Sequence, residues 1–390
     1  MNPSYHRLRR FAALLLGVVF LVSGLLKIID PVGTMLIVKE YFKLLHLSFL
    51  FPTAKVTGIL LALLEALLGI ALITGVLRKT AARFAFVLLG FFTLLTLWLW
   101  ISNPAMDCGC FGLAIHLTHA QSFWKNVIML LLAAFAFLPF HSLGTPKRDR
   151  KVAAVLSVLS VLFVVYYSNT HLPIVDFTEY DWGAELYASL EDEILAENRY
   201  NAAYVYEKDG EEESFDLSAL PDSSWTFVRV DTVFRKSAAV AETHPMLSFR
   251  DGEGEYRDSE AAEGRVVVFS VYEPAKLDWI RLEGQCQEVL SSGGRAIVLL
   301  SDLPEKLREL PVPTYFADYK TLITLNRSNG GGTYFHEGEL VNKWDAAHFP
   351  ENLSEDFSAD PVDLSTRYIV KRRLYMQGFC VYLAALLLLV

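Results

Sequence analysis

The sequence predicts a membrane-spanning α-helical bundle joined to an α/β domain outside the membrane. Three observations predict it. Hydrophobic residues make up 53% of the 390-residue chain, but unevenly: 11–168 is dominated by Leu, Phe, Val and Ala. Residues 169–366 instead carry about 39 Asp/Glu against about 16 Lys/Arg, so all the excess negative charge lies in that segment and the basic residues elsewhere reduce it to the chain's net -9. The basic residues between apolar runs fall on alternate loops, which fixes a direction across the membrane. An acidic domain of this kind repels phosphate, so no nucleic-acid partner is expected. Four cysteines are too few for a disulfide-stapled scaffold.

A helix crosses a bilayer with about 20 apolar residues. Residues 11–29, 56–77, 81–102 and 123–140 meet that length, and 152–168 is shorter but free of charge. The first run follows "HRLRR" yet ends in "GLLKIIDP" with no small-x-small cleavage site, so it reads as an uncleaved helix rather than a signal peptide. Asp30-Pro31 stops it, because proline cannot continue the hydrogen-bond ladder. Residues 30–55 then read as a loop. Arg7, Arg9 and Arg10 precede the first helix, Arg78, Lys79 and Arg83 follow the second, and Lys147, Arg148, Arg150 and Lys151 precede the fifth. All three groups fall on one side, the cytoplasmic side. The N-terminus is then cytoplasmic, and the 30–55 loop, the "MDCGCFG" loop (106–112) and residues 169–366 lie outside the inner membrane, in the periplasm. The last run, 378–390, is only about 20 Å of helix. The preceding Arg367, Lys371, Arg372 and Arg373 break the charge rule and read as an interfacial segment on lipid headgroups.

Several motifs carry a resemblance. "FLVSGLLKIIDPVGT" (20–34), "EYF" (40–42), an acid in "LLEALLGIAL" (Glu65), and "DCGCFG" followed by "LTHAQSFWKNVIMLLL" occur in order. Residues 10–145 thereby resemble the DoxX/MauE superfamily, and more narrowly the Bacteroidetes DoxX-like type, which "HLPIVDFTEYDWG" (171–183) continues. The resemblance implies a four-helix core, here with extra helices, in the cytoplasmic membrane. Its methylamine-utilisation member is associated with maturation of a disulfide-rich enzyme subunit. Leu113 departs from the pattern, since relatives commonly place an acid after "CFG".

With these directions, Lys27, Lys125, Asp107, Cys108 and Cys110 gather at the outer rim. Glu65 lies about nine residues into its helix, roughly 14 Å down. A carboxylate at that depth faces the bundle interior and finds a partner; it is either a proton or ligand group with a raised pKa or a packing lock. Lys27 and Lys125 read most simply as side chains snorkelling to headgroups; Lys125, if near the cysteines, would instead lower a thiol pKa. A Cys-x-Cys disulfide closes a small strained ring and is more reducible for it. That suits a redox pair, with one thiol attacking and the other resolving. The alternatives are a locked disulfide in a glycine-rich turn, and a Cys2His2 metal site with His116 and His119, whose spacing is not a common zinc pattern; no metal is assigned. No cofactor is identified, though a quinone in the bundle is one candidate.

Outside the membrane, 171–260 reads as a β-rich segment. "YVYEKDGEEESFDL" and "WTFVRVDTVFRK" supply strands, with Glu211–Glu213 a solvated loop. In 261–366, "RVVVFSVYE", a helix through Cys286, "RAIVLLSD", a helix in "LPEKLREL", "PTYFAD" and a hairpin around "EGEL" give a thioredoxin-like β-α-β-α-ββ order. The turn after its first strand reads "VYEPAKLDW" and lacks Cys-x-x-Cys, and the expected cis-proline position is Gly330-Gly331-Gly332. Cys286 reads as a core thiol. The domain boundaries are therefore 1–145, 146–170, 171–260, 261–366 and 367–390. The leading functional reading is thiol/disulfide redox maturation of envelope proteins, with Cys108 and Cys110 as the redox pair and Glu65 and Lys125 assisting. The alternative is a non-enzymatic anchor or accessory subunit whose acidic domain binds an envelope or membrane protein partner. A transporter built on Glu65 fits less well, since the helices show no internal repeat.

Overall fold

The computed structural model describes residues 3–138, 148–186, 200–208, 211–215, 221, 225–234, 245–302 and 310–388. The chain divides into two compact units, Met1–Thr178 with Thr366–Val390, and Glu179–Ser365.

The first unit is helical. Its elements are α1 (Pro3–Ile29), α2 (Pro31–Leu44), a 3-10 turn (Ser48–Thr53), α3 (Ala54–Thr74), α4 (Arg78–Ser102), a short β1 (Cys110–Leu113), α5 (His119–Phe137) and α6 (Arg148–Thr170). Five helical stretches are long and apolar enough to cross a membrane: Tyr5–Ile29, Ser48–Thr74, Arg78–Ser102, His119–Phe137 and Arg150–Thr170. This is a multi-pass membrane protein. α1 and α3 pack backbone to backbone because glycine and alanine face each other. A methyl group on Gly24 would lie 2.5 Å from the Ala66 nitrogen, and one on Gly69 would lie 2.5 Å from the Leu21 nitrogen. Small residues permit this approach where no hydrophobic drive separates helix from lipid. Outward-facing α4 residues, Val87, Phe91, Leu94 and Trp98, are exposed and apolar at helical spacing.

Two expectations need correction. Residues 30–55 are mostly not a loop: Asp30 accepts from the Gly33 amide at 2.8 Å and Pro31 sits at the first position of α2. The residue that ends one helix therefore caps the next. The C-terminal run is not a separate short helix either. One helix (α11, Pro361–Leu388) takes in both the basic stretch and the apolar end, and it falls outside the five candidate spans. Arg372 donates to the Pro173 carbonyl at 2.8 Å, and Met376 and Phe379 pack on the cluster that holds Val161 and Val164 of α6.

The second unit holds two sheets. β2 (Tyr200–Lys208), β3 (Glu211–Phe215) and β4 (Thr226–Phe234) form an antiparallel sheet in the order β3-β2-β4. Glu211–Glu213 therefore stand in a strand and not in a loop; pairing to Lys208, Glu207 and Tyr206 overrides their weak strand preference. The larger sheet follows a short helix α7 (Ser259–Ala262) and comprises β5 (Arg265–Val271), β6 (Arg295–Leu300), β7 (Thr314–Phe316), β8 (Gly331–His336) and β9 (Glu339–Trp344). Its order is β7-β6-β5-β8-β9, with β5, β6 and β7 parallel and β8 and β9 antiparallel to their neighbours. Helices α8 (Trp279–Ser291), α9 (Tyr319–Leu325) and α10 (Ser354–Ser358) complete it. β5 is buried from Val266 to Val271, as a central strand covered on both faces must be. The helix expected in "LPEKLREL" lies largely outside the described residues.

Candidate functional site

Four pieces of chain meet at one end of the bundle. α1 brings Ser23 and Lys27, one turn apart and so on one face. α3 brings Glu65, the loop 103–118 brings Cys108 and Cys110, and α5 brings Ser122, Lys125 and Asn126. The α5 start is fixed by a capping box in which Thr118 and Gln121 exchange hydrogen bonds.

Glu65 is 1% exposed and Lys27 6%. The Lys27 ammonium donates to both carboxylate oxygens, at 2.7 and 2.8 Å. Lys27 therefore does not snorkel: a partner 38 residues away, on a helix packed against its own, offers a better site than the headgroups. Two buried charges are tolerable in such a place only when paired and hydrogen-bonded. The α1 end helps, since the Thr34 hydroxyl satisfies the Lys27 carbonyl at 2.9 Å.

The cysteines are free thiols whose sulfurs lie 3.0 Å apart. Gly109 between them has φ +65°, and any side chain there would clash with Ile37 of α2. The loop is held from two sides: the Tyr41 hydroxyl donates to the Cys108 carbonyl at 2.7 Å, and the Ser23 hydroxyl lies 2.7 Å from the Cys110 carbonyl. A hydrogen bond from Cys108, then the charges of Lys125 and Lys27, holds the Cys110 thiol well below the ordinary thiol range, against the opposing effect of burial. The same hydrogen bond, with burial, pushes Cys108 up. The pair is thus asymmetric, with one sulfur poised as thiolate and its neighbour as thiol. Lys125 also lies over the Phe111 ring at 4.7 Å, so it too turns to the thiol loop.

Asp107 and the histidines do not join this group. His116 pairs with Asp107 at 3.0 Å on the surface, and His119 meets the Pro104 carbonyl at 3.1 Å. Among the described residues, no three His, Cys, Asp or Glu side chains converge as metal ligands. The geometry therefore brings together Cys108, Cys110, Glu65, Lys125 and Lys27 around a cavity of about 260 Å³.

Comparison with known families gives the same region a relation. Residues 6–139 match the family model described as methylamine utilisation protein MauE. The helical bundle is MauE-like. Residues 200–236 match a domain of unknown function, DUF8463, which corresponds to the three-stranded sheet. No curated protein and no solved structure matches the chain.

Sequence reasoning missed Ser23, Ser122, Asn126 and Tyr41 as members of this site. Ser23 had a usable signal, its position four residues before Lys27 on one helical face. Tyr41 stands in "EYF" (40–42), which reads from sequence as loop and folds as part of α2. Ser122 and Asn126 become legible only once α4 and α5 are packed, where Asn126 donates to the Phe92 carbonyl at 3.2 Å.

Proposed function

We propose that this protein is a thiol–disulfide redox component of the cytoplasmic membrane that supports maturation of envelope proteins. The observation that carries the reading is the asymmetric pair itself: two free thiols 3.0 Å apart, with Lys125 beside them and the Lys27–Glu65 pair beneath. A thiolate with an adjacent resolving thiol is the arrangement that exchange chemistry uses. In the oxidised form, a client thiolate attacks the Cys108–Cys110 disulfide. The second client thiol then displaces the mixed disulfide, leaving the client oxidised and Cys108 and Cys110 reduced by two electrons and two protons. The MauE likeness supports a maturation or accessory role of this kind.

The basic loops support a cytoplasmic N-terminus, with the thiol loop and residues 169–366 on the periplasmic side. The sheet order β7-β6-β5-β8-β9 supports reading 261–366 as a thioredoxin-like domain. That domain holds no cysteine in the turn after β5, so it serves as the surface that engages a partner rather than as a second redox centre. Thiol trapping in cells tests the whole. A mixture of oxidised and reduced Cys108/Cys110, and loss of client oxidation in Cys108→Ser, is expected. A permanently oxidised pair with a harmless Cys108→Ser would leave the anchoring role as the better reading, above all if a stoichiometric partner co-purifies without either cysteine.

A further inference from the structure

The cavity next to the thiols is larger and more apolar than two cysteines need. At about 260 Å³ it sits just below the roughly 300–1,000 Å³ typical of small-molecule sites. Its polar lining includes Lys27, Glu65 and Lys125, with the two lysines acting on Cys110; the walls are aliphatic and aromatic, as at Phe92 and Leu95. Its lining reaches the surface at Leu45 and Phe91, 47% and 58% exposed. Phe91 belongs to the exposed apolar stripe of α4, the stripe a membrane helix turns to lipid. An entrance framed in this way opens to hydrocarbon, so its occupant is an apolar molecule that travels in the bilayer.

The chemistry of the pair sets the rest. Closing the Cys108–Cys110 disulfide releases two electrons and two protons, which a quinone-class molecule takes up together. We propose that the cavity binds a quinone from the lipid phase, with a ring carbonyl toward Lys27 and Lys125, as the acceptor that reoxidises Cys108 and Cys110. This rests on the redox reading above. The Cys110 thiolate adds to a ring carbon, forming a C–S bond. The Cys108 sulfur attacks Cys110 and forms the S–S bond, while the C–S electron pair stays on the ring. Cys108 gives up one proton; the other is the one Cys110 released on ionising, and both end on the quinol oxygens, so two thiols and a quinone become a disulfide and a quinol.

Ser23 ties Glu65 to the thiol loop. The Ser23 hydroxyl lies 2.8 Å from the Glu65 carboxylate and 2.7 Å from the Cys110 carbonyl. It has one hydrogen and two acceptors to serve.

The test uses the full chain in nanodiscs, reduced and freed of reductant. A short-chain alkyl ubiquinone is added, with quinone absorbance and thiol trapping followed together; the water-soluble oxidant diamide is the control. One quinone reduced per Cys108–Cys110 disulfide is expected. Leu95→Trp, which fills the cavity, should slow the quinone reaction about 10²-fold while diamide oxidation stays near wild type. Val38→Phe fills the same space from α2 should the first variant not fold. A disulfide that forms with diamide but not with quinone overturns this inference and leaves the redox reading standing, as does a quinone rate that both filled variants retain. A pair that neither oxidant closes overturns both.

Discussion

Cys110 in the helical bundle and Cys286 in the sheet domain are both withdrawn from bulk water, but into different surroundings. Cys110 sits beside a second thiol, two lysines and an open cavity. Cys286 is fully buried on α8 among apolar neighbours, and burial pushes its thiol up to about 12. The buried polar groups differ in the same way. In the sheet domain Asn326 ties the Gly332 and Trp344 carbonyls together at 3.1 Å each, a structural clamp across β8 and β9. In the bundle the Lys27–Glu65 pair bonds no backbone group; it faces a space. Burial alone does not mark a functional group. Burial beside a cavity, with charges placed to stabilise one protonation state, does.

The widest expected difference is in thiol reactivity. At pH 7 Cys110 is largely thiolate and Cys286 is not, so alkylation of the reduced, folded protein should favour Cys110 by on the order of 10³-fold or more, read by peptide mass after a timed quench. The sign with pH follows. A lowered pKa keeps the thiolate as pH falls, so Cys110 labelling should hardly drop between pH 8 and 6, where an ordinary thiol of about 8.5 would lose most of its thiolate. Lys125→Met removes a charge that favours the thiolate but keeps the Cys108 hydrogen bond, and so should move the fall to higher pH. Equal labelling of Cys110 and Cys286 would erase the contrast.

Next in size is the buried ion pair. Lys27→Met removes the cation from a buried ion pair and leaves Glu65 with the Ser23 hydroxyl alone, and should cost about 3–5 kcal/mol, seen as a lower unfolding temperature in detergent. Lys27→Met with Glu65→Leu should recover most of that stability without recovering redox turnover. In the sheet domain, breaking the exposed Lys276–Glu273 pair, 3.0 Å long, should change stability by no more than about 1 kcal/mol. A double variant that kept turnover would reduce the pair to a packing device.

The thiol loop tolerates less than its sheet counterpart. Gly109→Ala meets both a left-handed backbone and Ile37, and should cost roughly 1–3 kcal/mol while separating the two sulfurs. Gly338→Ala, at the β8–β9 turn, meets the backbone strain with nothing nearer than 3.5 Å. Its cost should stay near 1 kcal/mol. Guanidinium unfolding of each variant, with Cys110 labelling as the local probe, separates the two.

What the sequence made legible follows from range. The five spans were readable because 20 apolar residues in a row have few other uses, and β5 because a continuous β-branched run suits a strand covered on both faces. α2 was not readable: "PVGTMLIVKEYFKL" mixes apolar and charged residues, and its helix depends on the Asp30 cap and on packing against α3. The cysteines, Glu65 and Lys125 could be named from motif and depth. The Lys27–Glu65 bond could not, because its partners lie on two helices whose contact depends on Gly24 facing Ala66 and Gly69 facing Leu21. Pairing of that kind is a property of packing, and snorkelling is what remains when the partner is unseen.

The smallest effect tests whether the two regions differ in ordinary stability or only in chemistry. Thr118 caps α5 by accepting from the Gln121 amide at 3.2 Å, and Asp278 caps α8 by accepting from the Arg281 amide at 3.2 Å. Replacing either by Ala removes one such bond and should cost about 1 kcal/mol. The chemical consequence should not match. α5 carries Ser122 and Lys125, so fraying its first turn moves the ammonium that favours the Cys110 thiolate. Thr118→Ala should therefore slow Cys110 alkylation at pH 6 as well as lower stability, whereas Asp278→Ala should lower stability and leave Cys286 unreactive. If both variants lose stability alone, the position of Lys125 does not depend on its cap, and its hold on the thiolate comes from the Phe111 ring and the cavity wall instead.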